Sequence, residues 1–341
     1  MRHLAANDKY QFIIISSGGA LNYMQYSLKQ YKNITYREAK LDLGYILNSK
    51  TLEIDRTEMN KSYISYMQEF SYRISVEERF LSENKVNAVI SDISPVAIAA
   101  ADGLGIKSLG ISNFTWYSAY QSFIEDREML LDSYNKLDHF LMLPGSNDEP
   151  LWGRTDRCQV GFYCRDIDPI EMNRLLNNLN PNRNKIIVYF VLGMSIQSDL
   201  ASQLCLLSNK DYVFIVSSNM NLPGENIYRI PQNYTETQNL LAISNVVISK
   251  PGWSTVSEAV VLNKPLIVIK RDSFSEDKST IKQIINLNNV HQLSFNELMK
   301  LDSLERYLSN SEVLSEDINL KNHQEKQRVS EYIKSQIEMV G

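Results

Sequence analysis

The sequence predicts an α/β protein made of two doubly wound, Rossmann-like domains that face a cleft, and three observations carry the prediction. Short apolar runs rich in β-branched residues alternate with helical stretches almost throughout. That alternation stops near the middle of the chain and restarts at Lys185–Gly193 (KIIVYFVLG). The length, 341 residues, exceeds what one ordinary core serves and suits two domains.

Taken in order, the N-terminal HLAAND reads as the end of a helix, and QFIIIS (Gln11–Ser16) is the first strand, closed by Gly18-Gly19. A doubly wound domain usually opens with a strand and a Gly-rich turn. Residues 1–8 are too few to hold one, so either the domain is truncated or its first βα unit, with its first strand, is absent. A long charged helix follows over Thr57–Asn84, then the strand VNAVIS (Val86–Ser91), closed by Asp92 and Pro95. The Ala-rich stretch Pro95–Leu104 is helical, and KSLGIS (Lys107–Ser112) and HFLMLP (His139–Pro144) are further strands. Pro150–Asn184 contains no long apolar run and reads as the tail of one domain and a linker. In the second half DYVFIVS, NVVIS and PLIVIK join KIIVYFVLG as continuous apolar runs, the pattern of parallel strands covered on both faces. The expected boundaries are 1–162 for the first domain, 163–184 for the linker, 185–320 for the second domain and 321–341 for a last helix. Val329, Ile333 and Ile337 give that helix one apolar face.

Composition narrows the function classes. A hydrophobic share of 43%, a charged share of 22% and a net charge of −5 describe a globular protein without the basic footprint of a nucleic-acid binder. No apolar run reaches the length needed to span a bilayer, which leaves only peripheral membrane contact open, and MRHLAANDKY has no signal-peptide core. Cys158, Cys164 and Cys205 cannot build a disulfide framework, which fits a cytoplasmic chain. His3, His291 and His323 have no partners at ligand spacing, so no metal site and no cofactor are expected. Asn33, Asn113 and Asn233 stand in Asn-x-Thr triplets that read as chance in so Asn-rich a chain.

Chemistry concentrates in VVISKPGWSTVSEAV (Val246–Val260). A strand ends at Ser249, Pro251-Gly252 turns the chain, and Thr255-x-x-Glu258 has capping-box spacing. The same helix start, at the carboxyl end of a buried strand, also suits a phosphate. The residues alone leave cap and ligand site evenly matched. Asp92 is either a turn residue before Ser94-Pro95 or a carboxylate at the site. Trp116, Tyr117 and Tyr120 are either core aromatics or a sugar-stacking platform, and His139 reads as a satisfied core or edge residue.

The longer run SKPGWSTVSEAVVLNKPLIVIKRDSFSED resembles the donor-site segment of GT-B glycosyltransferases. It is most similar to the glycosyltransferase-like N-terminal region of arabinokinases and its free-standing microbial relatives. More distantly it resembles peptidoglycan N-acetylglucosaminyltransferases and diglyceride sugar transferases. AVISDISPVAIAAADGLGIKSLGISNFTWYSAY (Ala88–Tyr120) and LDLGYILNSKTLEID (Leu41–Asp55) support the same likeness. The resemblance implies transfer of a hexosyl group from a nucleotide-sugar, a UDP-sugar before others, to an unidentified acceptor hydroxyl of a glycan, lipid or small molecule. It implies donor contacts from Lys250, Gly252, Ser254, Thr255, Glu258, Glu276 and Asp277, with Glu258 on the ribose hydroxyls. Gly193 and Ser195 hold the place of the Gly-rich turn that opens the second domain, with one glycine only. Asn113 and Trp116 would face the acceptor, Asp92 is the candidate base, and the last helix would cross back to the first domain. The alternative is a catalytically impaired relative that binds a nucleotide-sugar as a sensor or partner subunit. The missing strand, the single Gly193 and the Glu-Asp-Lys-Ser loop at 276–279 favour it. A sugar-nucleotide epimerase shares the fold but would need more polar catalytic groups.

Overall fold

The structure is a computed structural model that describes residues 1–48, 53–192, 204–308 and 316–338. The chain forms two compact units. Unit 1 contains Met1–Ile46, Ile54–Gly161 and the chain from Lys326 onward; unit 2 contains Leu47–Glu53 and Phe162–Glu325.

Unit 2 is a six-stranded, wholly parallel sheet. Its strands are β7 (Ile186–Val191), β8 (Tyr212–Val216), β9 (Ile227–Arg229), β10 (Val246–Ser249), β11 (Leu266–Ile269) and β12 (Val290–Leu293). They lie in the order β12-β11-β10-β7-β8-β9, the doubly wound order whose direction reverses between β7 and β10. Because side chains alternate across a strand, one run feeds two cores. Val188 and Phe190 of β7 join Phe214, Val216 and Ile248 on one face. Ile187 and Tyr189 join Ile215, Val247 and Val268 on the other. The four central strands are therefore apolar at nearly every position, as the continuous runs require.

The expected linker 163–184 is in part a helix, Pro169–Leu179, that packs its Leu175 into the second core. Asp168 accepts from the N–H groups of Ile170 and Glu171, and Pro169 takes the first helical position. An Asp-Pro start is a strong helix signal that the shortage of apolar residues outweighs in the sequence. The helix expected over Thr57–Asn84 is two helices, Arg56–Gln68 and Phe70–Glu83, meeting at Glu69.

Unit 1 has two parallel sheets. β1 (Phe12–Ser16) pairs with β2 (Ile34–Glu38), while β3 (Ala88–Ser91), β4 (Lys107–Ser112), β5 (His139–Met142) and β6 (Asp156–Gln159) form the other in chain order. Among the described residues β1 and β2 pair only with each other, apart from the four-stranded sheet. All five residues of β1 are only half-buried, whereas β10 and β11 are buried at every position. The N-terminal turn is pinned by Asn33, whose side-chain amide donates to the carbonyls of Ala5, Asn7 and Tyr10, so this asparagine is structural.

The last helix, Glu316–Glu338, begins in unit 2 and ends in unit 1. Asn322 Oδ1 accepts from the Cys164 N–H in unit 2, and Glu338 accepts from Lys9 in unit 1. Among the described residues no helix is long and apolar enough to cross a membrane.

His139 corrects an expectation. It is 3% exposed at the start of β5, and neither ring nitrogen has a hydrogen-bond partner. Neighbouring strands occupy its backbone, and the ring is closed off with no polar atom in reach. Burial lowers its pKa, with Lys107 adding to the effect and Asp138 and Asp156 opposing it. A histidine neutral when folded takes up a proton on unfolding below its ordinary pKa near 6.5. Stability is thus present above that value and lost as pH falls through the lowered one. His139→Phe is expected to flatten the melting temperature between about pH 6.5 and 5, read by a thermal scan at each pH. A variant as acid-sensitive as the parent would exclude this origin.

Candidate functional site

In unit 2 β7 and β10 adjoin at the switch point of the sheet. There Val191, Ser217, Lys250, Gly252, Trp253, Ser254 and Thr255 line a cavity of about 300 Å³. The helix that follows starts at Trp253, with Gly252 as N-cap and no side-chain cap. This corrects the capping-box expectation: Thr255 falls at the third helical position and Glu258 lies one turn further in. Glu258 is buried and its Oε1 accepts from Arg165 Nη2 at 2.8 Å and Nε at 3.2 Å. A guanidinium bond is stronger than a cap bond to a backbone N–H, which is why the carboxylate turns away from the helix end. The orphan N–H groups of that end, with their partial positive charge, remain available beside the cavity.

Arg165 is the residue that sequence reasoning missed. Its guanidinium also donates to the Thr235 carbonyl and, at 2.8 Å, to Thr237 Oγ1. Burial raises the Glu258 carboxyl, and Arg165 pulls it back toward the charged form. Nothing in the local sequence joins the two groups, since they lie 93 positions apart.

Lys250 is half-buried at the cavity, and burial together with Arg271 lowers its pKa, while Asp277 and Glu276 oppose the shift. Arg271 in turn holds both oxygens of Asp277, at 2.6 and 2.7 Å, and lies over the Phe274 ring. Asp277 is 1% exposed, so its carboxylate fixes the loop and offers no open oxygen. Glu276 precedes it in the first turn of helix Ser275–Ile284 and is half-buried. Trp253 packs edge-on to Tyr163 at 5.2 Å, placing its ring between the cavity wall and the chain entering the unit. Gly193 and Ser195 lie outside the described residues.

Unit 1 places the remaining candidates together at the carboxyl ends of β3 and β4. Asp92 is exposed and follows β3 directly. Ser94, not Asp92, is the N-cap of helix Pro95–Gly103, accepting from the Ala97 N–H. Between them Ile93 has φ +61°, a strained conformation for a β-branched side chain. Tyr134 Oη donates to the Ile93 carbonyl at 2.7 Å, and Ser91 Oγ accepts from the Ser94 N–H at 2.7 Å. These bonds hold the turn that presents Asp92. Asn113 is buried, and Trp116 stacks on Tyr120 at 5.3 Å and meets Tyr45 edge-on at 5.4 Å. The strap after β2 adds Asp42, unmarked by any motif, beside Asp92, Ser94 and Trp116. Among the described residues no group of His, Cys, Asp and Glu is placed to hold a metal ion.

No family model matches the chain. It is 25% identical over 293 residues to L-arabinokinase of Arabidopsis thaliana, covering 81% of this chain and 27% of that protein. The chain thus spans about a quarter of that relative's length. The calicheamicin glycosyltransferase CalG4 superposes with a TM-score of 0.59 at 13% identity, over 96% of this chain and 98% of that one. UGT89C1 of Arabidopsis thaliana, complexed with UDP-L-rhamnose, gives a TM-score of 0.59 at 12% identity, covering 99% and 93%. SnogD of Streptomyces nogalater, also a glycosyltransferase, gives 0.52 at 12%, covering 97% and 99%. The chain therefore has the GT-B fold of two Rossmann-like units.

Proposed function

We propose that the chain is a glycosyltransferase that binds a nucleotide-sugar on unit 2, a UDP-sugar first, and transfers its hexosyl group to an acceptor hydroxyl. The observation that carries this is the uncapped helix end at Trp253, opening on a cavity lined by Lys250, Ser217, Ser254 and Thr255 at the sheet's switch point. The N–H groups and the three hydroxyls suit a diphosphate, and Lys250 supplies a charge that strengthens as the phosphate neutralises its cationic surroundings. Glu258, with Oε1 held by Arg165, offers Oε2 to the ribose hydroxyls. Gly252 lets the backbone approach, and Glu276 is the carboxylate we assign to the sugar hydroxyls. Stabilising the departing diphosphate in this way supplies much of the rate enhancement expected of such a site. Unit 1 supplies the acceptor side through Asn113, Trp116 and Asp92, and the expected setting is the cytoplasm. The relative that matches in sequence is named a kinase, but the segments shared with it lie in the glycosyltransferase-like architecture.

Calorimetric titration with UDP-glucose, UDP-N-acetylglucosamine and UDP-L-rhamnose, run beside an assay of donor hydrolysis, tests the proposal. One UDP-sugar is expected to bind, with free UDP competing. No binding by any of them, or by UDP, would sink it. The Glu-Asp-Lys-Ser run at 276–279 favours a second reading, a sensor that binds without transfer. Binding with no turnover is its signature.

A further inference from the structure

A second cavity, of about 450 Å³, lies wholly within unit 1 and shares no residue with the donor site. One wall is the face of helix Arg56–Gln68 that carries Asn60, Tyr63, Ile64, Met67 and Gln68, at the three- and four-residue spacing of a single stripe. The other is the segment Ile124–Asp126, joined by Met129 from helix Glu128–Asn135. Tyr63 Oη donates to the Asp126 carbonyl at 3.0 Å and ties the two walls together. Tyr63 and Ile124 are buried and close the inner side, with Tyr63 edge-on to Tyr120 at 5.9 Å. Ile64 is 59% exposed and Met129 39%, so apolar area on both walls stays in water. The charges at the cavity are of one sign. Glu125 and Asp126 bring carboxylates, Asn60 and Gln68 bring amides, and no Lys or Arg lines the space. The neighbouring cations are engaged elsewhere. Arg127 Nη1 donates to the Tyr117 carbonyl at 2.8 Å, its guanidinium lies over the Tyr117 ring, and Lys61 pairs with Glu58. Asn60, Gln68 and Glu125 make no side-chain hydrogen bond or ion pair with another described residue.

We propose that this cavity binds an apolar amine, with its ammonium group held by Glu125 and Asp126 and its hydrocarbon or aryl body between Ile64, Met67 and Met129. Charge selects the occupant. An anion would meet two carboxylates with no counter-charge, and a neutral hydrocarbon would leave both unanswered. A primary ammonium has three N–H donors and no acceptor, which fits a rim of carboxylates and amide carbonyls. The two methionines suit the body, because their unbranched, polarizable side chains adapt to the shape of a ligand. A volume of about 450 Å³ falls in the range of small-molecule sites. The site stands apart from the nucleotide-sugar reading, since every residue in it belongs to unit 1.

Calorimetric titration of the full chain with hexylamine and phenethylamine, near neutral pH and at low salt, tests the site. Saturable one-to-one binding of at least one amine is expected. Hexanoate and hexanol, matched to hexylamine in the body but not in charge, should bind about 10-fold more weakly or worse. Added salt should weaken the amine, because Glu125 and Asp126 are exposed and their charges are screened. Replacing both acids, Glu125→Gln with Asp126→Asn, should cost about 10-fold in amine affinity. Asparagine at that position keeps the oxygen that accepts from the Glu128 N–H, so the start of the next helix is preserved. Ile64→Ser should cost about 5-fold by removing one apolar wall. All three positions are exposed, so both variants should melt with the parent. No saturable binding of either amine overturns the proposal. Hexanoate binding as tightly as hexylamine overturns it too, and so does parental affinity in the double variant. Should the double variant fail to fold, Ile64→Ser decides, and parental affinity there removes the site.

Discussion

Replacing Glu258 by Gln is expected to weaken UDP-sugar binding by about 100-fold or more while leaving the fold in place. The carboxylate is 7% exposed; burial raises it, and Arg165 opposes that rise. A ligand hydroxyl pair that donates to it would form charge-assisted bonds, each worth about 1.5–3 kcal/mol. Glutamine keeps the volume, so packing of the helix against Val247 and Val268 is preserved, but it loses the charge and one acceptor. Calorimetry on the variant reads the loss directly. If affinity is unchanged and only the melting temperature falls, Glu258 is a structural partner of Arg165 and the ribose role is wrong.

Arg165→Met is expected to be the most destabilising single change, at about 3–5 kcal/mol near neutral pH. Removing the cation leaves a buried carboxylate without compensation, and the hydrogen bonds to the Thr235 carbonyl and Thr237 go with it. The lower part of that range is expected because the Arg165 side chain is 27% exposed and water relaxes part of the loss. The pH dependence follows from the sign of the shift. Burial already raises the Glu258 carboxyl above its unfolded value, and losing Arg165 raises it further. A raised acid stabilises the fold below its unfolded pKa, and that share is lost as pH rises through the folded one. The variant should therefore recover stability as pH falls from about 7.5 to 5, measured by urea unfolding at several pH values. Equal stability to the parent at pH 7.5 would show that the pair contributes nothing.

Much of this architecture is written locally. β7, β8, β10 and β11 announce themselves as continuous apolar runs, because a parallel strand covered on both faces has no polar positions to spare. The anion-facing turn is legible in Lys250-Pro251-Gly252, where the residue types themselves dictate a sharp turn into a helix. Helix Pro169–Leu179 is written locally too, with Met172, Leu175, Leu176 and Leu179 at helical spacing against the second core, although the prolines around it make the stretch read as a linker.

The sequence by itself determines the strongly apolar strands, their succession and the Pro-Gly turn after β10, since these depend on neighbours within a few residues. Tertiary structure alone decides which carboxylates stay free and which are taken. Asp277 is claimed by Arg271, and Glu258 follows Thr255 at cap spacing but bonds to Arg165 instead. Asp42 and Asp92 sit 50 positions apart in the sequence, as their residue numbers show, and meet only once the strap after β2 packs beside the β3 turn. The reason is physical: ionic preferences depend on burial and on charges brought close by folding, and neither is a property of local sequence.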